Sequence, residues 1–210
     1  MPLTERDREV LRALSLKVPV LSLEQVARGW WGEGRSALEG ARGRAKKLVG
    51  AGLIVVELRL VHPEIDLPEP VLRWEPGDPT PPFGKLSYRL RSRWGRAHRL
   101  APLCRATAAG ARQFGGVGGP HPRPLQFSHD LHVGALYVQI RCLRPELVDS
   151  WIGEVELRRR GLRGKLPDAA LVDGSGGIER ILEFGGAYGP ERLRADHAFC
   201  EAQGYPYELW

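Results

Sequence analysis

At 210 residues, 42% hydrophobic and 27% charged, the chain suits one large domain or two small ones, has enough apolar residues to bury a core, and is not a disordered or fibrous polypeptide. No apolar run approaches the roughly 18–20 residues that span a bilayer, and the opening "MPLTERDREVLRAL" mixes acids and bases, so a cytoplasmic protein with no membrane partner is expected. The formal charge of +6 is uneven: residues 1–115 carry 20 Lys and Arg against 12 Asp and Glu, and residues 116–210 carry 11 against 13, so a polyanion partner is expected for the first half.

The first half opens with three helix signals. Thr4 caps "TERDREVLRALSL" with Asp7 at the third position, and Val10, Leu11 and Leu14 share a face. Ser22 and Gln25 form a capping box on "LSLEQVARGWW". Ser36 and Glu39 suggest another on "RSALEGARGRAKKLVGAGLI", where Leu38, Ala41, Ala45 and Leu48 recur at helical spacing and Gly50 or Gly52 ends the run. Two strand-like runs follow, "LIVVELRL" and "KLSYRLRSRW", separated by an insert over 61–85 with seven prolines. "LCRATAAGARQFGG" reads as a short strand and a helix.

Three helices and a hairpin are the order of a winged helix-turn-helix, an α+β fold whose third helix enters the major groove while the hairpin lies along the backbone. The residues expected to meet duplex DNA are Arg35, Arg42, Arg44, Lys46 and Lys47 on the third helix and Arg89, Arg91 and Arg93 on the hairpin. Symmetric DNA sites favour a homodimer. The proline-rich insert is a candidate docking loop for another protein.

The stretch "GGVGGPHPRP", residues 115–124, continues neither helix nor strand and divides a domain over 1–114 from one over 125–210. Beyond it the expected order is α-β-β-β-α-β. "FSHDLHVGALYVQIRCL" is a helix that Ser128 can cap, and "SWIGEVELRRR", "KLPDAALVD" and "IERILEFGG" are strands. "GPERLRADHAFCEAQG" is a helix with Pro190 in its first turn and Gly204 past its end, and "YPYELW" is a final strand. Cys104, Cys142 and Cys200 are too scattered for a disulfide framework or a zinc site.

Chemistry concentrates around "LPDAALVDGSGGIERILEF". If its two strands form a hairpin across "DGSGG", Asp168 at the start of one meets Glu183 at the end of the other. Adjacent carboxylates are costly unless a cation lies between them, and Mg²⁺ suits oxygen donors that also admit water and a phosphate. Glu154 or Glu156 on the preceding strand is a candidate third ligand. Lys165 and Arg180 each stand three positions from an acid, an odd offset that a regular strand turns to the opposite face. His129 and His132 on the helix are expected to be structural rather than ligands, one of them bonded to a backbone carbonyl.

Pro167-Asp168 followed by Glu183-Phe184-Gly185 resembles the PD-(D/E)xK nuclease motif, and the α-β-β-β-α-β order resembles the α/β restriction-endonuclease-like core. With the winged helix, "SHDLHVGALYVQIR", "LPDAALV" and "ILEFGGAYGPERLRADHAFCEAQGY", nearly the whole chain resembles the plasmid replication-relaxation family. The resemblance implies a DNA-binding protein of a plasmid or mobile element that acts in replication, mobilisation or transcription control, with Asp168, Glu183 and Glu154 as catalytic positions if the domain is active and Asp168 and Glu183 as its metal ligands. The motif's lysine, two positions after the second acid, is here Gly185. Three readings therefore stand: a non-catalytic regulator, a Mg²⁺-dependent DNA endonuclease, and an adaptor recruiting a transposase or relaxase.

Overall fold

In the computed structural model, residues 2–116 and 126–210 form a mixed α+β protein of two compact units. The expected linker, apart from Gly115 and Gly116, lies outside the described residues. Among them no helix is long and apolar enough to cross a membrane. The first unit comprises residues up to 64 and 98–148, and the second comprises 65–97 and 149–210. The division thus differs from the expected cut at 115–124: residues 65–97 join the second unit, and the helix after the linker joins the first.

In the first unit, α1 (Glu5–Arg12) begins at a reciprocal capping box between Thr4 and Asp7, and α2 (Leu23–Trp30) at one between Ser22 and Gln25, as the sequence suggests. Helix α3 (Arg35–Gly50) departs from expectation. Its N-cap is Gly34, so Ser36 and Glu39 lie inside the helix and form no box. Its buried side chains are Ala37, Ala41, Ala45 and Leu48, with Leu38 half-buried. Gly52, at φ 69°, turns the chain out of the helix.

Strand β1 (Leu21–Ser22) pairs antiparallel with β4 (Arg99–Ala106), which pairs antiparallel along its whole length with β2 (Ile54–Val61). The hairpin partner of β2 is therefore 99–106, not "KLSYRLRSRW". Helix α5 (Ala108–Arg112), capped by Thr107, follows β4 as expected. Helix α6 (Phe127–Leu143) buries Phe127 and Leu131 with Val20, Val61, Ala101 and Leu103. Ser128 does not cap it; its Oγ instead accepts a hydrogen bond from the His62 N–H at 2.8 Å.

The second unit is a five-stranded sheet in the order β3 (Leu72–Trp74), β8 (Tyr207–Leu209), β7 (Ile178–Glu183), β6 (Ala169–Val172), β5 (Trp151–Gly153). β5, β6 and β7 form an antiparallel meander. Helix α8 (Pro190–Gln203) then crosses over to place β8 parallel to β7. Gly204, at φ 67°, ends α8 where expected. The insert is no free loop: its β3 pairs antiparallel with β8, and Trp74 is buried in the core.

Two expected strands prove helical here. "KLSYRLRSRW" lies in α4 (Phe83–Ser92), where Leu86 and Leu90, one turn apart, are buried. Leu86, Tyr88 and Leu90 alternate as a strand would, but burying only the first and last is the helical choice. "SWIGEVELRRR" is a strand only as far as Gly153. From Glu154 to Arg159 it is helix α7, with Glu154 bonded to Arg158 and Glu156 to Arg160, both one turn away.

One buried pair organises the first unit. Asp7 is fully buried and accepts from Arg44 Nε at 2.5 Å, while Arg44 Nη2 donates both to Asp7 and to the Pro2 carbonyl. Burial opposes ionisation of Asp7, but the hydrogen bonds from Arg44 and Thr4 outweigh it and hold the carboxyl below its usual range. Arg44→Met should destabilise the protein by about 3 kcal/mol, because it strands a buried carboxylate. Because the folded value is depressed, the pair's contribution is present at neutral pH and is lost as pH falls below 3.8. Asp7→Asn should therefore flatten the acid limb of stability, measured by urea unfolding at a series of pH values; an unchanged limb would count against the pair.

Candidate functional site

The β6–β7 register runs Ala170 to Ile181 and Ala169 to Leu182, so the next step sets Asp168 opposite Glu183. Asp168 Oδ2 accepts the Phe184 N–H at 2.8 Å, which fixes the first carboxylate against the strand carrying the second. Both acids are where the hairpin argument puts them.

Lys165 is where that argument did not. Strand β6 begins only at Ala169, so the alternation rule does not reach back to Lys165. Gly164, at φ 84°, turns the chain, and Lys165 Nζ donates to Glu183 Oε1 and lies 3.1 Å from Asp196 Oδ1 on α8. Lys165 is thus part of the site despite its odd offset. Arg180 is not, since it pairs with Glu75 at 2.6 Å. Arg158 and Arg160 are held by Glu154 and Glu156. Glu154 itself lies on α7 rather than on a strand face, and its carboxylate bonds Arg158. The expectation of a third acid ligand from that segment is corrected accordingly.

Gly185 shows why the motif's lysine is absent. A Cβ there would come within 2.8 Å of both methyls of Leu90 and of one methyl of Leu209, two buried core residues. The position is closed to any side chain unless those leucines give way.

Asp196 had drawn no attention in the sequence. Its only signal was an Arg at i and an Asp at i+4 on the helix after the motif. It is buried on α8 and accepts from Arg192 Nε at 3.0 and 3.2 Å. The Arg192 guanidinium lies 4.9 Å from the centroid of the Tyr188 ring. Three carboxylates, Asp168, Glu183 and Asp196, therefore face two cations, Lys165 and Arg192.

The electrostatics follow. Burial, then the charge of Asp168, raise the Glu183 carboxyl to about 8, with Lys165 opposing. Burial works against the Lys165 ammonium, but Glu183 and Asp196 hold its pKa above the usual lysine value. Burial first, then Asp168 and Glu183, raise the Tyr188 phenol. Behind Glu183 and Asp196 lies a cavity of about 10 Å³, walled by Phe83, Leu86, Leu193 and Tyr207 and large enough for about one water.

Among the described residues no group of three or more His, Cys, Asp or Glu is arranged to hold a metal. The fit of a divalent cation rests on Asp168 and Glu183 alone. The donors there are hard carboxylate oxygens, the type a divalent cation takes, and Glu183 already faces the Lys165 ammonium.

The basic positions separate into engaged and open groups. Arg44 is bound to Asp7, and Arg93 donates to the Gly185 and Trp210 carbonyls at 3.1 and 2.9 Å. Burial, then Arg89, lower Arg93 to about 10. Both serve the fold and leave the set expected to meet phosphate. Arg42, Lys46 and Lys47 are exposed on α3, as is Arg35, which also pairs with Glu39 across one turn. Arg89 and Arg91 are exposed on α4, in the second unit rather than on the hairpin. His132 is fully buried, sits 2.5 Å from the Ser128 carbonyl through Nδ1, and is lowered to about 4 by burial, in keeping with a structural role.

Comparison with protein-family models, curated proteins and solved structures gave no match to this chain.

Two outcomes follow from the site. If Asp168 and Glu183 hold a cation, Mn²⁺ affinity measured by calorimetry should rise with pH through the neutral range, since the raised Glu183 carboxyl must lose its proton to become a ligand. A flat profile would mean that Glu183 is not a ligand. Gly185→Lys, the change that rebuilds the motif, should lower stability by about 1–3 kcal/mol through overpacking against Leu90 and Leu209; an unchanged melting temperature would contradict this packing.

Proposed function

We propose that the chain is a DNA-binding protein, a winged helix-turn-helix joined to a restriction-endonuclease-like unit, and that the second unit carries a Mg²⁺-dependent phosphodiesterase site of Asp168, Glu183 and Lys165. The observation that carries this reading is the arrival of Lys165 Nζ at Glu183 from a loop, although a regular strand at that offset would turn it to the opposite face. Two acids facing across a hairpin and a lysine beside them make up the donor set of the nuclease motif, with the lysine coming from before the first acid rather than from after the second.

Asp168 and Glu183 would hold the cation. Bound there, it neutralises phosphate charge and lowers the pKa of water. Asp168 is oriented by the Phe184 N–H. Lys165 presents a fixed positive charge at the same place, suited to a phosphate oxygen or the attacking water.

Support for the DNA-binding half comes from strand and helix order. Strand β1, helices α2 and α3, and the β2–β4 hairpin follow in the sequence of a winged helix, with an excursion between the hairpin strands. Arg35, Arg42 and Lys46 form a stripe along exposed α3, with Lys47 beside it. The replication-relaxation resemblance belongs to this reading, as does a homodimer on a symmetric site.

A second reading, a regulator without catalysis, is favoured by the ties that hold Lys165 between two carboxylates. The adaptor reading has less room, because β3 and buried Trp74 take the middle of the insert into the sheet.

Supercoiled plasmid incubated with Mg²⁺ or Mn²⁺ separates the readings. Nicking should appear and fall by about 100-fold or more in Asp168→Asn, Glu183→Gln and Lys165→Met. DNA intact at high protein concentration with either ion would leave the regulator. In either case Lys46→Ala with Lys47→Ala should weaken binding to all sequences and reduce the slope of log affinity against log salt by about two; an unchanged slope would place the DNA elsewhere.

A further inference from the structure

Glu183 and Asp196 share one ammonium, although they come from different elements, the end of β7 and the middle of α8. The Lys165 side chain is 16% exposed, so its charge needs a partner at all times. If Glu183 were that sole partner, a cation taking Glu183 would leave the ammonium buried and unpaired, and Lys165 would act only as a competitor. Asp196 removes this conflict. It already lies 3.1 Å from Nζ, it is buried, and Arg192, one turn earlier on α8, holds both of its oxygens. Arg192 is itself laid over Tyr188. The carboxylate is oriented toward Lys165 by contacts that do not involve Glu183.

We propose that Asp196 is the positioning residue of this site: it keeps the Lys165 ammonium beside the carboxylate pair when a divalent cation occupies Asp168 and Glu183. The inference rests on the metal-site reading above and assigns Asp196 an action through Lys165 rather than on the cation. Lys165 competes with the cation for Glu183, and Asp196 weakens that competition by offering the lysine a second place.

The test is a double-mutant cycle on Mn²⁺ affinity, measured by calorimetry with the full chain at pH 8.5, with circular dichroism confirming that each variant folds. Lys165→Met should tighten Mn²⁺ binding by about tenfold, and Asp196→Asn alone should weaken it by about tenfold, the scale of a lost supporting contact. In the Lys165→Met background, Asp196→Asn should change affinity by less than about twofold, since its intermediary is gone. An equal loss in both backgrounds would make Asp196 a ligand or a general source of negative charge, and would overturn the proposal while leaving the metal site standing. Absence of Mn²⁺ binding in both the unaltered protein and Lys165→Met would overturn the metal reading, and this proposal with it. If Asp196→Asn fails to fold, Arg192→Gln keeps all three carboxylates and removes only the orientation of Asp196. It should weaken binding by about threefold with Lys165 present and leave it unchanged in Lys165→Met; equal effects in the two backgrounds would again overturn the proposal.

Discussion

The second unit depends on keeping buried carboxylates supplied with positive charge. Glu183 is 3% and Asp196 7% exposed, and neither can stay ionised in that setting without a cation close by. Lys165 meets both, and the path of the chain around it follows from that need. Gly164 turns the loop inward, and β6 begins late enough to leave Lys165 outside the pleat. The parallel crossover after β7 brings α8, and with it Asp196 and Arg192, over the same strand end. Burial first, and then the charge of Asp168, push the Glu183 carboxyl above its ordinary range, with Lys165 opposing.

The same unit is assembled from two separated stretches of chain. Residues 65–97 leave the β2–β4 hairpin, contribute edge strand β3 and helix α4, and return. Leu86 and Leu90 of α4 join Ile181, Leu193 and Leu209 in one core. Leu90 also fills the space beside Gly185, and Arg93, just past the end of α4, binds the carbonyls of Gly185 and Trp210. The excursion therefore does for the site what a motif lysine would have prevented: it packs the flank of β7 with hydrocarbon, and the positive charge must enter from the other side of Asp168.

Several local signals were legible, although the Ser36–Glu39 box and the Ser128 cap do not form. The boxes at Thr4–Asp7 and Ser22–Gln25, the αL stop at Gly204 and the turn between β6 and β7 each depend on residues a few positions apart, and each appears as read. The hairpin argument placed Asp168 opposite Glu183 because antiparallel register needs only the turn to be known. Tertiary choices were not legible. Leu86, Tyr88 and Leu90 alternate at strand spacing, while Leu86 and Leu90 also stand one helical turn apart, and the fold takes the helix and buries those two. Glu154 and Glu156 looked like one strand face, yet with Arg158 and Arg160 they stand at helical i, i+4 spacing, a pattern that was open to reading. Lys165 stands four positions before Ala169, where β6 begins, so strand alternation does not govern it.

Net charge overstates what a phosphate can meet, because some of the basic groups are spent on internal partners. The basic excess of the first half includes Arg44 and Arg93, whose guanidinium groups are spent on Asp7 and on two backbone carbonyls. On α3 the exposed set is narrower, Arg42, Lys46 and Lys47, with Arg35 exposed but paired to Glu39. A net charge states how many positive groups a chain carries; burial decides which of them a phosphate can meet. The same reasoning covers the acid site. Position 185 lacks a lysine, yet an ammonium stands beside Glu183, brought on a flexible four-carbon stem from a position before the first acid. An offset in a motif records one backbone route to that atom, and in this protein Leu90 and Leu209 close that route while Gly164 opens another.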